Sequence, residues 1–187
     1  MRTSAAVLVG LTLATVGRAG AAQEGVGPAE LSLYAGAIHW DLPEHRTVAM
    51  AGVRAGLVVF ANFSLEGYWD RSPAEPGAGF GMGAGETYGV DLLWNGPPYW
   101  PGGSLFVLAG TGWGRGAYEG SRLNEVGGGY RWFLGEIAAV RLDVRAFREL
   151  DPWVRQGYRT HYRAAIGVSW LLGGEGWAAW PHPPRIQ

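Results

Sequence analysis

Apolar and polar residues alternate along most of the chain, most clearly between Leu123 and Phe147. One face of that stretch is apolar or glycine: Val126, Gly128, Tyr130, Trp132, Val140, Leu142, Val144 and Ala146. The other face holds the charges and two glycines: Glu125, Gly127, Gly129, Arg131, Arg141, Asp143 and Arg145. Because successive side chains of a strand point to opposite faces, this pattern predicts a β-hairpin that turns at Leu134–Glu136.

Six other segments show a similar alternation of apolar and polar residues, so eight strands are predicted in all. Each is about as long as a tilted strand needs to be to cross a bilayer. The clear apolar faces are Leu31, Leu33, Ala35 and Ala37; Ala51, Val53, Ala55, Leu57 and Val59; Phe63, Leu65 and Trp69; Tyr88, Val90, Leu92 and Trp94; and Tyr162, Ala164, Ile166, Val168 and Trp170. Ile38 breaks the alternation of the first segment. The fifth segment, Ser104–Trp113, has apolar residues on both faces, so its facing stays open.

The connections between these segments alternate in length. Those at Ala61–Asn62 and Leu134–Glu136 are tight, whereas those at Asp41–Thr47, Arg71–Gly85 and Glu149–Gly157 are long. The proline-rich link after the fourth segment is an exception, because it is long where the alternation of connection lengths predicts a short turn. Short turns at one end and long loops at the other are typical of transmembrane barrels. The predicted fold class is all-β: an eight-stranded antiparallel up-and-down transmembrane β-barrel.

The tryptophans divide between the two ends of the predicted strands. If odd-numbered strands run outward, the outer ends hold Trp40, Trp69 and Trp113, and the inner ends hold Trp94, Trp132 and Trp170. Two such aromatic girdles are expected at the two interfaces of a membrane. The alternative fold is a secreted β-sandwich or a lipocalin-like barrel, whose outer faces should be polar.

The composition supports short strands and excludes several classes of chemistry. The chain has 32 Gly, 10 Trp and 8 Tyr, which suits strands and turns better than helices. It has no Cys, so disulfide and thiol chemistry are excluded. All 15 basic side chains are Arg, and a formal net charge of −1 provides no basic footprint for nucleic acid.

The chain divides into four parts. Residues 1–22 have a basic start, an apolar run too short to span a bilayer and small residues near Ala21, which predicts a cleaved signal peptide. An uncleaved N-terminal anchor is the alternative. Residues 23–29 are then a short N-terminal segment, residues 30–174 the β-barrel, and residues 175–187 a tail rich in Trp and Pro.

The charged faces turn inward in this fold, because the apolar faces meet lipid. The inward set is Arg54, Glu66, Asp70, Asp91, Glu125, Arg131, Arg141, Asp143, Arg145 and Arg163, with His161 in the same interior or at its rim. An eight-stranded barrel is just wide enough for side chains, and unpaired charges there cost several kcal/mol each. A plug of ion pairs is predicted, in which Glu66, Asp91, Glu125 and Asp143 are the partners of Arg131, Arg141 and Arg145. A narrow or gated conduit whose ion pairs exchange partners is the alternative.

Other candidate chemistry is weak. His39, His45, His161 and His182 show neither metal-ligand spacing nor a hydrolase motif. The Gly-rich loop of Arg71–Gly85 lacks a phosphate-binding motif. No catalytic, cofactor-binding or metal site is predicted. The loops hold Tyr118, Arg122, Trp153 and Arg155, which are residue types that binding sites favour, so a surface ligand would be sought there.

Four stretches resemble the eight-stranded outer-membrane β-barrel family, the OmpA-like transmembrane domain. They are Gly52–Trp69, Leu105–Gly114, Asn124–Phe147 and Ala165–Gly174. The resemblance implies a location in the cell outer membrane, termini in the periplasm, four external loops, contact with outer-membrane lipid and assembly by the outer-membrane insertion machinery. It implies no catalytic residue and no cofactor. The peptidoglycan-binding domain of full-length OmpA proteins is not seen after the barrel, so a wall-anchoring role is not expected.

The predicted function is a structural or surface-interaction role in the outer membrane, with no enzymatic activity. The alternative is a narrow or gated channel for small polar solutes. A third and less favoured hypothesis, from a different class, is an outer-leaflet lipid-modifying enzyme that would use His39 and His161.

Overall fold

Eight antiparallel strands close into a barrel in the computed structural model, which describes residues 29–40, 46–60, 62–73, 85–96, 103–115, 122–134, 137–150 and 159–172. The strands are β1 (Ala29–Trp40), β2 (Arg46–Phe60), β3 (Phe63–Ser72), β4 (Gly85–Asn95), β5 (Gly103–Arg115), β6 (Arg122–Phe133), β7 (Ala138–Leu150) and β8 (Arg159–Leu172). Each strand pairs with the next in sequence, and β1 pairs with β8 to close the barrel, with Ala35 opposite Ile166. The predicted up-and-down barrel is confirmed.

The two ends of the barrel differ in their connections. At the terminal end, where β1 begins and β8 ends, lie the connections 61–62, 96–102 and 134–137. At the loop end lie the connections 41–45, 73–84, 116–121 and 151–158. Strands therefore alternate in direction between the end where β1 begins and β8 ends and the end with four connections.

The strands extend beyond the predicted loop boundaries at the loop end. β2 begins at Arg46, β3 continues to Ser72 and β7 continues to Leu150. Arg122 is the first residue of β6, so its predicted place in a loop is wrong. Antiparallel strands join through backbone hydrogen bonds, which do not require apolar alternation. Strand pairing therefore continues where the hydrophobic pattern has ended.

The outer surface of the barrel is apolar and its interior is polar. Leu33, Val107 and Val144 are each 50% to 54% exposed, whereas Arg141 and Arg145 are each 1% exposed. A water-soluble barrel has the opposite arrangement, because its apolar side chains leave water for the core. The alternative of a secreted sandwich or lipocalin-like barrel is therefore contradicted.

Closure of the barrel decides the facing of β5. Leu105 and Val107 face outward, and Phe106 and Leu108 are buried inside at 1% and 5% exposure. Ile38, which breaks the alternation of the first segment, is also inside at 2% exposure. The interior therefore contains large apolar side chains as well as charges.

Several predicted features lie outside the described residues. These are the signal peptide, the C-terminal tail, and His45, Tyr118, Trp153, Arg155 and His182. Within the described ranges, no helix is long and apolar enough to cross a membrane.

Candidate functional site: the ionic interior

All eleven polar residues predicted for the interior lie inside the barrel, and each is at most 3% exposed. They come from β2, β3, β4, β6, β7 and β8. A further acid, Glu30 of β1, joins them at 8% exposure. The name ionic cluster refers below to Glu30, Arg54, Glu66, Asp70, Asp91, Glu125, Arg131, Arg141, Asp143, Arg145 and Arg163.

Arg145 contacts four carboxylates that come from four strands. Its Nε donates to Asp143 Oδ1 at 2.7 Å, its Nη1 to Glu125 Oε2 at 3.1 Å and its Nη2 to Glu66 Oε1 at 3.1 Å. Nη1 also forms an ion pair with Asp91. A guanidinium suits this position because its five N–H groups fan out in one plane. Arg145 therefore ties β3, β4, β6 and β7 together across the lumen.

Arg141 and Arg54 share two of the same carboxylates. Arg141 donates to Glu66 from its two terminal nitrogens, Nη1 and Nη2, and from Nη2 also to Asp143 Oδ2 at 3.1 Å. Arg54 donates to that same Oδ2 at 3.2 Å and lies 3.8 Å from Glu66 Oε1. Because Glu66 and Asp143 each contact several Arg residues, the middle of the interior is a shared network.

Towards the loop end, Arg163 extends the network. It forms an ion pair with Asp70 and donates from Nη2 to Glu125 Oε2 at 3.1 Å. Thr87 donates to Asp70 Oδ2 at 3.1 Å. Asp70 is thus bound from β4 and β8 at the same time.

Towards the terminal end, Arg131 has partners that the sequence did not identify. Its Nη2 lies 2.9 Å from Glu30 Oε2, and its Nη1 donates to Asn95 Oδ1 at 2.6 Å. None of the four acids predicted as its partners makes a described ion pair with Arg131, so that pairing is wrong. Glu30 was missed because it lies at the predicted barrel boundary. The signal was its alternation with Ser32 and Tyr34 on the inner face.

Aromatic rings pack against the guanidinium groups inside the barrel. Three such contacts, measured from the guanidinium carbon to the ring centroid, are Arg54 on Tyr34 at 3.7 Å, Arg141 on Phe106 at 4.3 Å and Arg163 on Tyr68 at 4.9 Å. A cation over an aromatic face is attracted by the ring quadrupole, more strongly where water is excluded. The rings therefore stabilise the Arg side chains on the sides that carboxylates do not occupy.

Inward glycines make room for these bulky groups. A Cβ added at Gly110 would lie 2.5 Å from the carbonyl oxygen of Val90 and would collide with the carboxylate of Asp91. A Cβ added at Gly112 would collide with the hydroxyl of Tyr68. Both contacts are far closer than van der Waals distance. The high glycine content thus serves the packing of the interior as well as the turns.

An apolar cluster lies inside the barrel in its loop-end half. It contains Ile38, Met50, Leu123 and Phe147, each 2% or 3% exposed; we refer to these four residues as the apolar cap. They lie near the loop-end termini of β1, β2, β6 and β7. In the part of the chain that the structure describes, the loop-end half of the interior therefore contains apolar side chains beside the charges of Asp70 and Arg163.

The two described histidines do not form a site together. His39 pairs in register with Tyr162, the neighbour of His161, so alternation puts the two histidines on opposite faces of the sheet. His39 Nδ1 is 2.9 Å from Thr47 Oγ1. His161 is fully buried with its ring centroid 5.5 Å from that of Phe147. In the part of the chain that the structure describes, no group of three or more His, Asp or Glu side chains could hold a metal ion.

Five of the six predicted girdle tryptophans have described side chains, and all five are partly exposed on the outer surface. Near the loop end are Trp69 and Trp113, at 39% and 44% exposure, and near the terminal end are Trp94, Trp132 and Trp170, at 40% to 42%. Trp113 stacks on Tyr88 with centroids 6.0 Å apart. Trp40 ends β1, and its side chain is outside the described residues.

Solved structures with the same fold include outer-membrane barrels. Neisserial surface protein A (NspA) aligns with a TM-score of 0.64 at 11% identity, over 79% of this chain and 99% of that one. The N-terminal β-barrel domain of Pseudomonas aeruginosa OprF aligns at 0.54 and 11% identity, over 78% and 99%. Ail, the attachment invasion locus protein of Yersinia pestis, aligns at 0.52 and 9% identity, over 78% and 99%. No family model matches the chain, and no curated protein matches it. The chain therefore has the fold of the eight-stranded outer-membrane β-barrels.

Proposed function

We propose that this protein is an outer-membrane barrel with a structural or surface-interaction role, whose interior is closed by ion pairs between Arg and carboxylates. The observation that carries the proposal is the contact of Arg145 with four acids from β3, β4, β6 and β7. Side chains that reach across the lumen from opposite strands occupy the space that a water path along the axis would need. The apolar cap fills further space inside the barrel in its loop-end half, which also supports a closed interior.

The surface role is supported by the architecture of the barrel. The loop end has four connections, and two barrels that share the fold are named as a surface protein and an attachment invasion locus protein. We further propose that the strands face outer-membrane lipid, that the insertion machinery of that membrane assembles the chain, and that the loops face the outside. The loop residues Tyr118, Trp153 and Arg155 remain the predicted place for a ligand.

Conductance in planar lipid bilayers tests closure of the interior. Purified, heat-modifiable protein should produce no stable single-channel steps, because the ion pairs span the lumen. Reproducible wild-type steps of one amplitude would refute the closed interior. A large-pore porin reconstituted in the same way is the positive control.

The second candidate function is a gated conduit for small polar solutes. It is favoured by the sharing of carboxylates, because Asp143 Oδ2 accepts from Arg54, Arg141 and Arg145. Ion pairs that share an oxygen can exchange partners without leaving a charge unpaired. Under this alternative, rare short openings should appear and their frequency should rise in Glu66→Gln, which removes a negative charge shared by Arg54, Arg141 and Arg145.

A further inference from the structure

The acids of the ionic cluster outnumber its guanidinium groups. The cluster, as the structure describes it, contains six carboxylates and five Arg side chains, all inside the barrel. A charge in a low-dielectric interior is costly unless an opposite charge lies close to it. The balance among these side chains therefore leaves one carboxylate in excess, and the ion pairs indicate which one it is.

Asp91 is the acid with the fewest partners that carry a positive charge. It is 0% exposed, and its described ion pair is with Arg145, through Nη1. Arg145 also contacts Glu66, Glu125 and Asp143, and each of those three acids has a second Arg partner. Asp91 therefore shares one positive charge with three other carboxylates.

The register of the sheet places Asp91 beside another acid. Asp91 of β4 lies opposite Gly110 of β5, and Gly110 lies opposite Glu125 of β6. Gly110 has no side chain, and Asp91 Oδ1 lies where a Cβ on that residue would be. Arg145 Nη1 contacts an oxygen of each acid, and the two carboxyl groups are within hydrogen-bonding range of each other. Asp91 and Glu125 therefore meet above Gly110, and we call them the carboxyl pair.

Each member of the carboxyl pair has one buried oxygen that accepts no hydrogen bond from a described group. These oxygens are Asp91 Oδ1 and Glu125 Oε1. Two ionised carboxylates are acceptors only, so they repel each other and neither can donate to the other. A protonated carboxyl, in contrast, donates a strong charge-assisted hydrogen bond to a carboxylate. One proton between the two acids would therefore join them and remove the excess negative charge.

Charged and titratable groups face the carboxyl pair from three other strands. They are Glu66 and Tyr68 of β3, Asp143 and Arg145 of β7, and His161 and Arg163 of β8. Both oxygens of Glu66 and both oxygens of Asp143 accept from Arg side chains. In the cross-strand row that contains Glu125, Phe147 lies between Glu125 and His161. The place for a proton is therefore the carboxyl pair and not the other acids around Arg145.

We propose that Asp91 and Glu125 share one proton in the folded barrel, which makes the carboxyl pair a proton-binding site of the interior. The inference rests on the closed interior of the proposed function, because water at the pair would stabilise two separate negative charges. It adds a ligand, the proton, and it makes the stability of the closed barrel depend on pH.

The site gives the folding equilibrium a pH dependence of defined sign. Above about pH 6 an unfolded chain in water has both acids ionised, whereas the folded pair keeps one proton. At this site the folded state then binds more protons than the unfolded state, so the stability that the site contributes falls as the pH rises. The fall ends once the pH is high enough for the folded pair to lose its proton.

Infrared spectra of the full chain, folded in dodecyl maltoside, test the shared proton directly. This detergent has no carbonyl group, and a protonated carboxyl absorbs at a higher frequency than a carboxylate, with a shift after refolding in heavy water. We expect wild-type protein to show such a band at about pH 7. Asp91→Asn and Glu125→Gln should each abolish it, because the remaining acid beside Arg145 is then ionised. The matched control Glu86→Gln, which removes an acid from the outer face of the same strand as Asp91, should keep it.

Absence of the band from wild-type protein would overturn the proposal, and so would its persistence in either variant of the pair. The wild-type spectrum decides by itself if a variant does not fold. Each variant must therefore show the heat-dependent gel shift of the wild-type barrel before its spectrum is compared.

Urea unfolding in lipid vesicles measures the pH dependence. The ratio of the folding equilibrium constants of wild-type protein and Asp91→Asn should fall about tenfold per pH unit between about pH 6 and pH 8, because only wild-type protein releases this proton on unfolding. The ratio of wild-type protein to Glu86→Gln should change by less than about twofold over the same range. Equal pH slopes for wild-type protein and Asp91→Asn would overturn the site.

The conductance assay separates this inference from the proposed function. A wild-type barrel without the infrared band and without conductance contradicts the shared proton alone. A wild-type barrel that conducts contradicts the closed interior on which the inference rests.

Discussion

At the scale of single residues, Arg145 illustrates how a charge is accommodated in a low-dielectric interior. Its guanidinium is 1% exposed and meets Glu66, Asp91, Glu125 and Asp143. Burial of a charge costs several kcal/mol, and only several good partners at short distance offset that cost. The same carboxylates depend on Arg145 in turn. Loss of Arg145 would therefore leave four buried negative charges without a cation that they share.

Replacement of Arg145 should therefore destabilise the barrel strongly. We expect Arg145→Met to lower the free energy of unfolding by about 3–5 kcal/mol, because four buried carboxylates lose a shared cation. Urea unfolding in lipid vesicles, followed by Trp fluorescence, measures the change. Arg145→Lys, which keeps the charge with fewer donors, should cost less and serves if the Met variant does not fold. A loss below about 1 kcal/mol in both variants would show that the ion pairs around Arg145 are weak.

The inward glycines are a second example of single residues on which the packing of the interior depends. Gly110→Ala should lower the free energy of unfolding by about 1–3 kcal/mol, because its methyl group would overlap Asp91 and the Val90 carbonyl. The matched control is Gly67→Ala on the outer face, where the nearest atom to an added Cβ is the Gly89 carbonyl oxygen at 3.9 Å. The control should be neutral or slightly stabilising. The same unfolding assay measures the effect of both substitutions. Equal effects would contradict the conclusion that inward glycines make room for the bulky groups of the interior.

At the scale of elements, the β6–β7 hairpin carries opposite chemistry on its two faces. Arg141, Asp143 and Arg145 face inward and belong to the ionic cluster, whereas Leu142 and Val144, at 40% and 52% exposure, face outward. A shift of the pairing by one residue would exchange these faces and place charges in lipid. The alternation of β7 therefore specifies its register as well as its strand character.

An outward charge on β7 should report its depth in the membrane. Val144→Arg should reduce the folding free energy in lipid vesicles by about 2–4 kcal/mol, since a mid-strand Arg would enter the hydrocarbon. Leu134→Arg, at the terminal end where Leu134 is 64% exposed, should cost about 0–1 kcal/mol. Reversible folding into vesicles of defined lipid measures both. Equal costs would mean that Val144 does not lie deeper in the membrane than Leu134, the residue that follows β6.

At the scale of the whole molecule, closure of the barrel removes every open strand edge and brings distant segments together. Arg145 meets Asp91, which lies 54 residues away in sequence, and Arg131 meets Glu30 at a separation of 101 residues. A closed sheet also satisfies its backbone hydrogen bonds internally, as a bilayer requires. The apolar outer surface and the closed sheet are therefore parts of the same adaptation.

The location of the molecule has its own test. Cells that express the full chain should hold it in the outer-membrane fraction, and it should migrate differently in SDS gels with and without heating, because a closed barrel resists SDS until heated. A known outer-membrane barrel and a periplasmic protein mark the two fractions. Recovery in the periplasmic fraction without heat-dependent migration would refute the membrane assignment.

The alternation of residues, with the lengths of the connections and the positions of the tryptophans, determined the number of strands, their antiparallel order and, for seven of the eight, which face meets lipid. These features are local, since a strand of period two exposes one set of side chains to each side. The facing of β5 needed the tertiary structure, because both of its faces are apolar and only closure shows that Phe106 lies beside Arg141. The partners of each charge, the inclusion of Glu30 and the apolar cap were likewise decided by closure. They depend on the tilt and stagger at which eight strands meet, and these set the height of each side chain in the lumen.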